Sequence, residues 1–185
     1  KALMRAIVVG GELAELTPER IWRELARALM ETRPSRFFVA LRRCGALATL
    51  LPEIDALFGV PQPVAYHPEI DAGVHVLQAL DFAAAAGDPM PVRYAVLAHD
   101  LGKGVTAPAE WPRHIGHEAR SVRLANALSE RLRAPVDCRD LARLAARYHG
   151  VVHRARDLRP ATLLDLLLAT DALRRPERLH GLLRA

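Results

Sequence analysis

Cysteine and aromatic residues are scarce in this sequence, and it has no long apolar run. Only Cys44 and Cys138 occur among 185 residues, far apart and outside any Cys-x-x-Cys spacing. Neither a disulfide framework nor a structural zinc site is therefore expected. No segment approaches the roughly 20 consecutive apolar residues that cross a bilayer. We predict a soluble protein of the reducing cytoplasm, without a membrane partner.

The start of the sequence, Lys1-Ala2-Leu3-Met4, lacks an initiator methionine and the apolar core of a signal peptide. We interpret the sequence as an internal piece of a longer chain. Its net charge of +5 favours polyanionic partners such as RNA. Most of the positive residues are arginines, whose planar guanidinium groups suit phosphate oxygens.

Helical periodicity is what the sequence has in quantity. Alanine and leucine are abundant, aromatic residues make up 5%, and no alternating stretch of strand length occurs. We predict an all-α protein. Helices are expected to begin at Thr17-Pro18 and after Pro34-Ser35. The rigid segment 59–63 then marks a boundary between a helical neck and body, residues 1–60, and a helical-bundle domain, residues 61–185.

The second part should contain five helices. Their periodic stretches predict bounds of about 69–86, 91–100, 117–133, 137–149 and 160–173. Between the second and third lies a loop rich in glycine and proline, residues 102–116. It is longer than most connections inside a compact domain, and loops of that length are often functional.

Four polar residues extend the apolar faces of these helices. His99 and Asp100 end one short helix, Asp171 follows Leu167 by four residues in a leucine-rich stripe, and His75 lies on an apolar helix face. Burying a lone carboxylate is costly unless a cation accompanies it. Imidazole and carboxylate ligands suit manganese, iron, cobalt, nickel or zinc, so these residues predict a divalent-metal site. Such a metal could activate water for phosphate ester hydrolysis, with Asp100 orienting or deprotonating the water.

Each of these residues also has a purely structural interpretation. His99 and Asp100 could form a helix-terminal pair in which the acid orients a core histidine. Asp171 could form a buried ion pair with an arginine such as Arg143. His75 could be a core histidine with satisfied hydrogen bonds.

Five further residues could complete the site. His114, His117 and His149 are candidates for a second metal or for phosphate, although the first two could be exposed and the third could cap a helix. Lys103 and Arg113 are the expected phosphate-binding residues, and an arginine can bind two oxygens at once.

The longer strings around these residues resemble a known family. The order His75, His99-Asp100, Asp171 resembles the signature of the HD superfamily of metal-dependent phosphohydrolases. Four strings resemble the C-terminal part of the bacterial multifunctional CCA proteins, which are tRNA nucleotidyltransferases with an HD domain. These strings are LRRCGALATLLPEIDALFGVPQP (41–63), HPEIDAGVH (67–75), LAHDLGKG (97–104) and WPRHIGHE (111–118).

The resemblance implies a tRNA-contacting neck and body followed by an HD helical bundle. That domain would have 2',3'-cyclic phosphodiesterase, 2'-nucleotidase and phosphatase activities. Motif matching makes His75, His99, Asp100 and Asp171 the metal ligands, with His99 and Asp100 also catalytic. The implied cofactor is Ni²⁺, Mn²⁺, Co²⁺ or Mg²⁺. The implied partners are the tRNA 3' end and nucleotide phosphates, and the assembly a monomer or a homodimer.

Two departures from the family pattern limit these expectations. No Asp-x-Asp metal motif of a nucleotidyltransferase head occurs, so this chain should not add CCA by itself. Gly150 follows His149 where close relatives of that family tend to carry aspartate. Two other functions stay open, namely a tRNA-binding body with an inactive HD site, and another HD nucleotide phosphatase.

Overall fold

The computed structural model describes residues 2–64 and 69–185, and its regular elements are helices. The described ranges contain no strand, only an isolated bridge between Pro61 and Asp71. The predicted all-α class is therefore confirmed. The helices are α1 (Ala2–Val9), α2 (Pro18–Leu29), α3 (Ser35–Cys44), α4 (Ala46–Leu50), α5 (Pro52–Asp55), α6 (Ala72–Ala85), α7 (Met90–Ala98), α8 (His117–Arg131), α9 (Val136–Val152), α10 (Pro160–Ala169) and α11 (Pro176–Arg184).

Capping residues account for where the helices begin. The Thr17 hydroxyl accepts the Arg20 N–H at 3.4 Å at the start of α2, as the sequence predicts. Asp71 plays the same part for α6, because its Oδ1 accepts the Val74 N–H at 2.9 Å. This helix therefore begins at Ala72, three residues later than the periodicity indicated. No helix of the described ranges is long and apolar enough to span a bilayer.

The end of α10 differs from the sequence prediction. The helix stops at Ala169 instead of near residue 173, because Asp171 adopts a left-handed conformation with φ 54°. The Asp171 N–H bonds to the Leu168 carbonyl at 3.0 Å and the Ala172 N–H to the Leu167 carbonyl at 2.9 Å. This pair of bonds is a Schellman motif, which closes a helix.

The centre of the fold is α7. Every residue from Val92 to Asp100 is buried, and the helix packs against α2, α6, α8, α9 and α11. The Tyr94 hydroxyl lies 3.0 Å from the Ser129 hydroxyl, and its ring meets the Trp22 ring edge-on at 5.2 Å between centroids. Because α7 ends inside the molecule, it delivers the two residues that follow it into the interior.

The two predicted segments, residues 1–60 and 61–185, share one apolar core. Leu25 and Phe38 belong to the same buried cluster as Leu97 and Leu128. Buried Arg93 of α7 adds polar contacts across the division, since its guanidinium donates to the Leu29 carbonyl at 2.8 Å and to the Glu31 carbonyl at 3.0 Å. The division itself stays a prediction, and the helices on its two sides pack as neighbours.

Candidate metal centre

The two ends of the long loop 102–116 lie together, because a 3-10 turn at its start packs closely on α8 at its end. A 3-10 turn, Leu101–Val105, directly follows Asp100 and packs on α8. At Gly102 a Cβ atom would lie 2.2 Å from the His117 carbonyl oxygen and 2.6 Å from the Ser121 nitrogen. Only glycine fits at that distance. The contact brings His117, the first residue of α8, beside Asp100.

The Asp100 carboxylate is the centre of the site. It is almost fully buried. Oδ2 lies 3.1 Å from His99 Nε2 and 2.7 Å from Lys103 Nζ. Oδ1 lies 3.2 Å from His117 Nε2 and 3.4 Å from His149 Nε2. Burial alone would raise the pKa of this carboxyl, but His99, His117 and Lys103 hold it well below its ordinary value. Asp100 is therefore an anion surrounded by nitrogen atoms.

Three histidines around Asp100 are oriented by the backbone. The Nδ1 atoms of His99, His117 and His149 lie 2.7, 3.0 and 2.9 Å from the carbonyls of Val96, His114 and Ala145 respectively. A carbonyl only accepts hydrogen bonds, so each Nδ1 carries a proton. Each Nε2 is thereby left to face Asp100, which is the arrangement that a histidine adopts as a metal ligand.

The electron pairs of His117 Nε2, His149 Nε2 and Asp100 Oδ1 point towards one another in this arrangement. His117 Nε2 and His149 Nε2 are 3.1 Å apart. Burial, followed by the charge of His99, lowers the pKa of His149 to about 4, so its imidazole is neutral near pH 7. Asp100 Oδ1 is buried and accepts no well-formed hydrogen bond from the described residues. A cation between these atoms would satisfy all three of them, so the donor set fits a divalent metal.

The ligand atoms form two groups that share one carboxylate. Within the described ranges, His75, His99 and Asp100 offer atoms within 4.8 Å of one another, and so do Asp100, His117 and His149. The structure therefore brings together three of the four residues that the HD resemblance implies, and two of the three candidates for a second ion. Their roles as ligands stay predictions.

Asp171 is in neither group. Its carboxylate lies 3.8 Å from Arg175 Nε and is 37% exposed. The interpretation of its helix as an inward stripe through Leu164 and Leu167 was wrong, because Leu164 is exposed and Leu167 is only half-buried, whereas Leu166 is the buried leucine of α10. A ligand role for Asp171 stays an expectation from the resemblance, without support from the described geometry.

The remaining candidates lie in different surroundings. Lys103 is buried, with Nζ 2.5 Å from Gln62 Oε1 as well as close to Asp100. His114 is also buried, and its Nε2–H donates to the Pro61 carbonyl at 2.7 Å. Burial lowers the pKa of His114, so this histidine is a neutral anchor for the segment before α6, outside both ligand groups. Arg113 is exposed.

Two site residues gave no signal in the sequence. Gln62 accepts a hydrogen bond from Lys103, and Glu69 Oε1 lies 2.6 Å from His75 Nδ1. Both lie in the connection between α5 and α6, where no periodicity indicates which side chains point inward. The HPE string at 67–69 carried the family resemblance, but not a role for its glutamate.

Taken together, fold and site define an all-α protein with a candidate divalent-metal centre at the end of its central helix. A family model described as "Probable RNA and SrmB- binding site of polymerase A" matches residues 2–58. No solved structure matches the chain.

Curated relatives cover the rest of the chain as well. It is 60% identical over 183 residues to the multifunctional CCA protein of Nitrosomonas europaea, which covers 99% of this chain and 44% of that protein. It is 59% identical to that of Nitrosospira multiformis and 56% identical to that of Pseudomonas aeruginosa, in each case over 184 residues, all of this chain and 45% of the relative. The predicted resemblance to the multifunctional CCA proteins is confirmed. The chain spans less than half the length of these relatives.

Proposed function

We propose that this chain is a divalent-metal phosphohydrolase that acts on ribose phosphates, namely 2',3'-cyclic phosphates, 2'-phosphates and related monoesters. The observation that carries the proposal is the buried Asp100 carboxylate, with one oxygen facing His99 and the other facing His117 and His149. Histidines whose Nδ1 atoms are held by other groups and whose Nε2 atoms converge on one carboxylate are typical of metal sites.

Nickel, manganese, cobalt and magnesium are the cofactors that we propose. The first group of ligands would hold one ion, and the second group would hold another, with Asp100 between them. A bound ion of this kind lowers the pKa of a water molecule and polarises a phosphoryl oxygen. The nitrogen-rich donor set favours nickel and cobalt over magnesium and manganese, which prefer oxygen ligands.

The residues of the chain would divide the remaining work among them. Asp100 is an anion that can bind cations and orient a water molecule. Lys103 pairs with Asp100 and donates to Gln62, so it fixes the carboxylate, and its part in phosphate binding stays a prediction. Arg113 is exposed in the loop that precedes α8, and we propose it as a phosphate-binding residue because a guanidinium can bind two phosphate oxygens at once.

We propose tRNA as the biological partner, through α1 to α5. The RNA-binding family model covers these helices. Arg36 and Arg43 lie seven residues apart on one face of α3, both exposed and without an ion pair within residues 2–64 and 69–185. Arg43 also lines a cleft in which the Arg42 guanidinium lies 4.3 Å above the Phe58 ring. Exposed arginines of this kind commonly bind phosphates in RNA-binding proteins.

Hydrolysis of 2',3'-cyclic AMP tests the proposed activity. Protein loaded with Ni²⁺, Mn²⁺ or Co²⁺ should release a nucleoside monophosphate, and chelation should stop the reaction. Asp100→Ala and His99→Ala should remove it. Asp157→Ala and His153→Ala are matched controls, because both residues are exposed and lie outside the two ligand groups. Activity that survives both site substitutions would rule out the assigned site.

The family model supports a second candidate function, a tRNA-binding body whose HD site is inactive. Salt-dependent tRNA binding without metal-dependent turnover would favour it, since phosphate contacts weaken as salt rises. Turnover of nucleotide 5'-phosphates in preference to cyclic and 2'-phosphates would indicate another HD phosphatase instead. A panel of these three substrate classes separates the alternatives.

A further inference from the structure

His75 is oriented differently from the other three histidines of the site. Those three bind backbone carbonyls through Nδ1. In His75, Nδ1 lies 2.6 Å from a carboxylate oxygen, Glu69 Oε1. The Glu69 side chain is only 10% exposed, so water screens this contact weakly.

The backbone around Glu69 holds it in place. The Gln62 N–H donates to the Ile70 carbonyl at 2.6 Å, which joins the two ends of the connection that carries Glu69. Asp71 then binds both sides, since its Oδ2 accepts the Gly59 N–H at 2.6 Å while its Oδ1 caps α6. These bonds fix the backbone of Glu69 relative to α6, in which His75 is the fourth residue.

A carboxylate at Nδ1 decides what the other ring nitrogen can do. An ionised carboxylate only accepts, so Nδ1 carries the proton and Nε2 keeps its electron pair. The negative charge also makes the imidazole a stronger electron donor. Carboxylates of this kind are frequent partners of metal-binding histidines, and their loss typically lowers metal affinity about 10- to 100-fold.

We infer that Glu69 is a positioning residue that fixes His75 as the Nδ1–H tautomer and presents its Nε2 to the metal. The inference rests on the proposed function, in which His75 is a ligand of the first group. Glu69 itself lies in neither ligand group. It acts through His75 and not by contact with a substrate.

The tautomer can be read directly in the metal-free protein. Long-range ¹⁵N–¹H spectra of ¹⁵N-histidine protein in chelator, at about pH 8.5 where an ordinary histidine is neutral, distinguish Nδ1–H from Nε2–H rings. His75→Gln assigns the signals. Wild type should show His75 as the Nδ1–H tautomer, Glu69→Ala should lose that preference, and Glu69→Gln should keep part of it, because an amide oxygen still accepts. An Nε2–H ring in wild type, or an unchanged ring in Glu69→Ala, would overturn the inference.

Metal affinity provides the second readout. Calorimetric titration with Ni²⁺ should show binding to Glu69→Ala weakened about 10- to 100-fold, with Glu69→Gln in between. Glu130→Ala, which removes an exposed glutamate of α8, should bind like wild type. Equal affinity in wild type and Glu69→Ala, both folded by circular dichroism, would contradict the role. An inactive wild type that still shows the Glu69-dependent tautomer would count against the phosphohydrolase and not against Glu69.

Discussion

The ends of α7 and α10 carry similar sequences but have opposite environments. Each helix is apolar and each is followed by an acidic residue, Asp100 after α7 and Asp171 after α10. Asp100 is buried among histidines, whereas Asp171 is half-exposed beside Arg175. The difference comes from the neighbours. Five helices pack against α7, while most leucines of α10 face outward. An apolar stripe shows which face could be buried, but not whether another element covers it.

Substitution of the two aspartates should separate these environments most strongly. We expect Asp100→Ala to lower metal-dependent phosphohydrolase activity by at least about 100-fold, because Asp100 belongs to both ligand groups. Asp171→Ala should change activity by less than about threefold, since its carboxylate meets an exposed arginine in a contact worth little. Initial rates on 2',3'-cyclic AMP measure both. A loss with Asp171→Ala as large as that with Asp100→Ala would support Asp171 as a ligand and contradict its described position.

Leucine truncation should show the same contrast in stability. Leu97 on α7 is fully buried, and Leu168 on α10 is 59% exposed. Leu97→Ala should lower the free energy of unfolding by about 3 kcal/mol through lost burial and a cavity. Leu168→Ala should change it by less than about 0.5 kcal/mol. Urea unfolding of the metal-free proteins measures both free energies of unfolding. Equal losses in the two variants would indicate that another surface covers α10 in solution.

One arginine within α7 and one shortly after α10 provide a polar version of the test. Arg93 is buried and donates to carbonyls at the end of α2, and its Nε donates to the Asp88 carbonyl at 2.7 Å. Arg93→Met would leave these carbonyls without donors, so we expect a loss of about 2 kcal/mol or more. Arg175→Met, beside Asp171, should cost less than about 0.5 kcal/mol. Thermal unfolding midpoints that fall equally would contradict a special role for the buried arginine.

The pH dependence of stability should report on the buried histidines with a smaller effect. Burial lowers the pKa of His149 to about 4, against an ordinary value near 6.5. The unfolded chain therefore takes up a proton that the folded imidazole does not, and this contribution to stability is lost as pH falls from about 6.5 towards 4. Burial opposes protonation of His99 also, but the Asp100 carboxylate raises the pKa of His99 overall. His99 therefore contributes stability at low pH, and this contribution is lost as the pH rises.

A variant isolates the His149 contribution. His149→Asn removes the titrating group, so the wild type should lose about 1–2 kcal/mol more than this variant between pH 7 and pH 4.5 in chelator. His153→Asn, at an exposed position one turn further on, serves as the control and should follow the wild type. Parallel pH curves for wild type and His149→Asn would exclude a buried neutral imidazole.

Much of the fold follows from local signals in the sequence. Capping at Thr17 and the helical periodicity predict where α2 and α3 begin and the bounds of α6 to α10 to within about four residues. They did not predict α1 or α11, so the described part of residues 61–185 contains six helices instead of the five expected. The strings around His99 predict the convergence of His75, His99 and Asp100. These features depend on residues that are close in sequence or on strongly apolar faces. They are therefore visible without knowledge of tertiary contacts.

The parts that the sequence could not predict depend on contacts between distant segments. Asp171 ends a helix in a left-handed conformation that its aspartate does not signal, where glycine is more usual. Glu69 and Gln62 reach the site from an irregular connection, where side-chain direction has no period. The contacts of Arg93 with the end of α2 involve residues more than 60 positions apart, and no local pattern records them.

Anomalous diffraction from crystals grown with Mn²⁺ or Ni²⁺ tests the central claim most directly. We expect a peak within about 2.2 Å of Asp100 and of a histidine Nε2 atom, with His99 and His75 on one side and His117 and His149 on the other. The peak should disappear in Asp100→Ala. A metal bound elsewhere, with Asp100 paired only to Lys103, would contradict a metal centre at the end of α7.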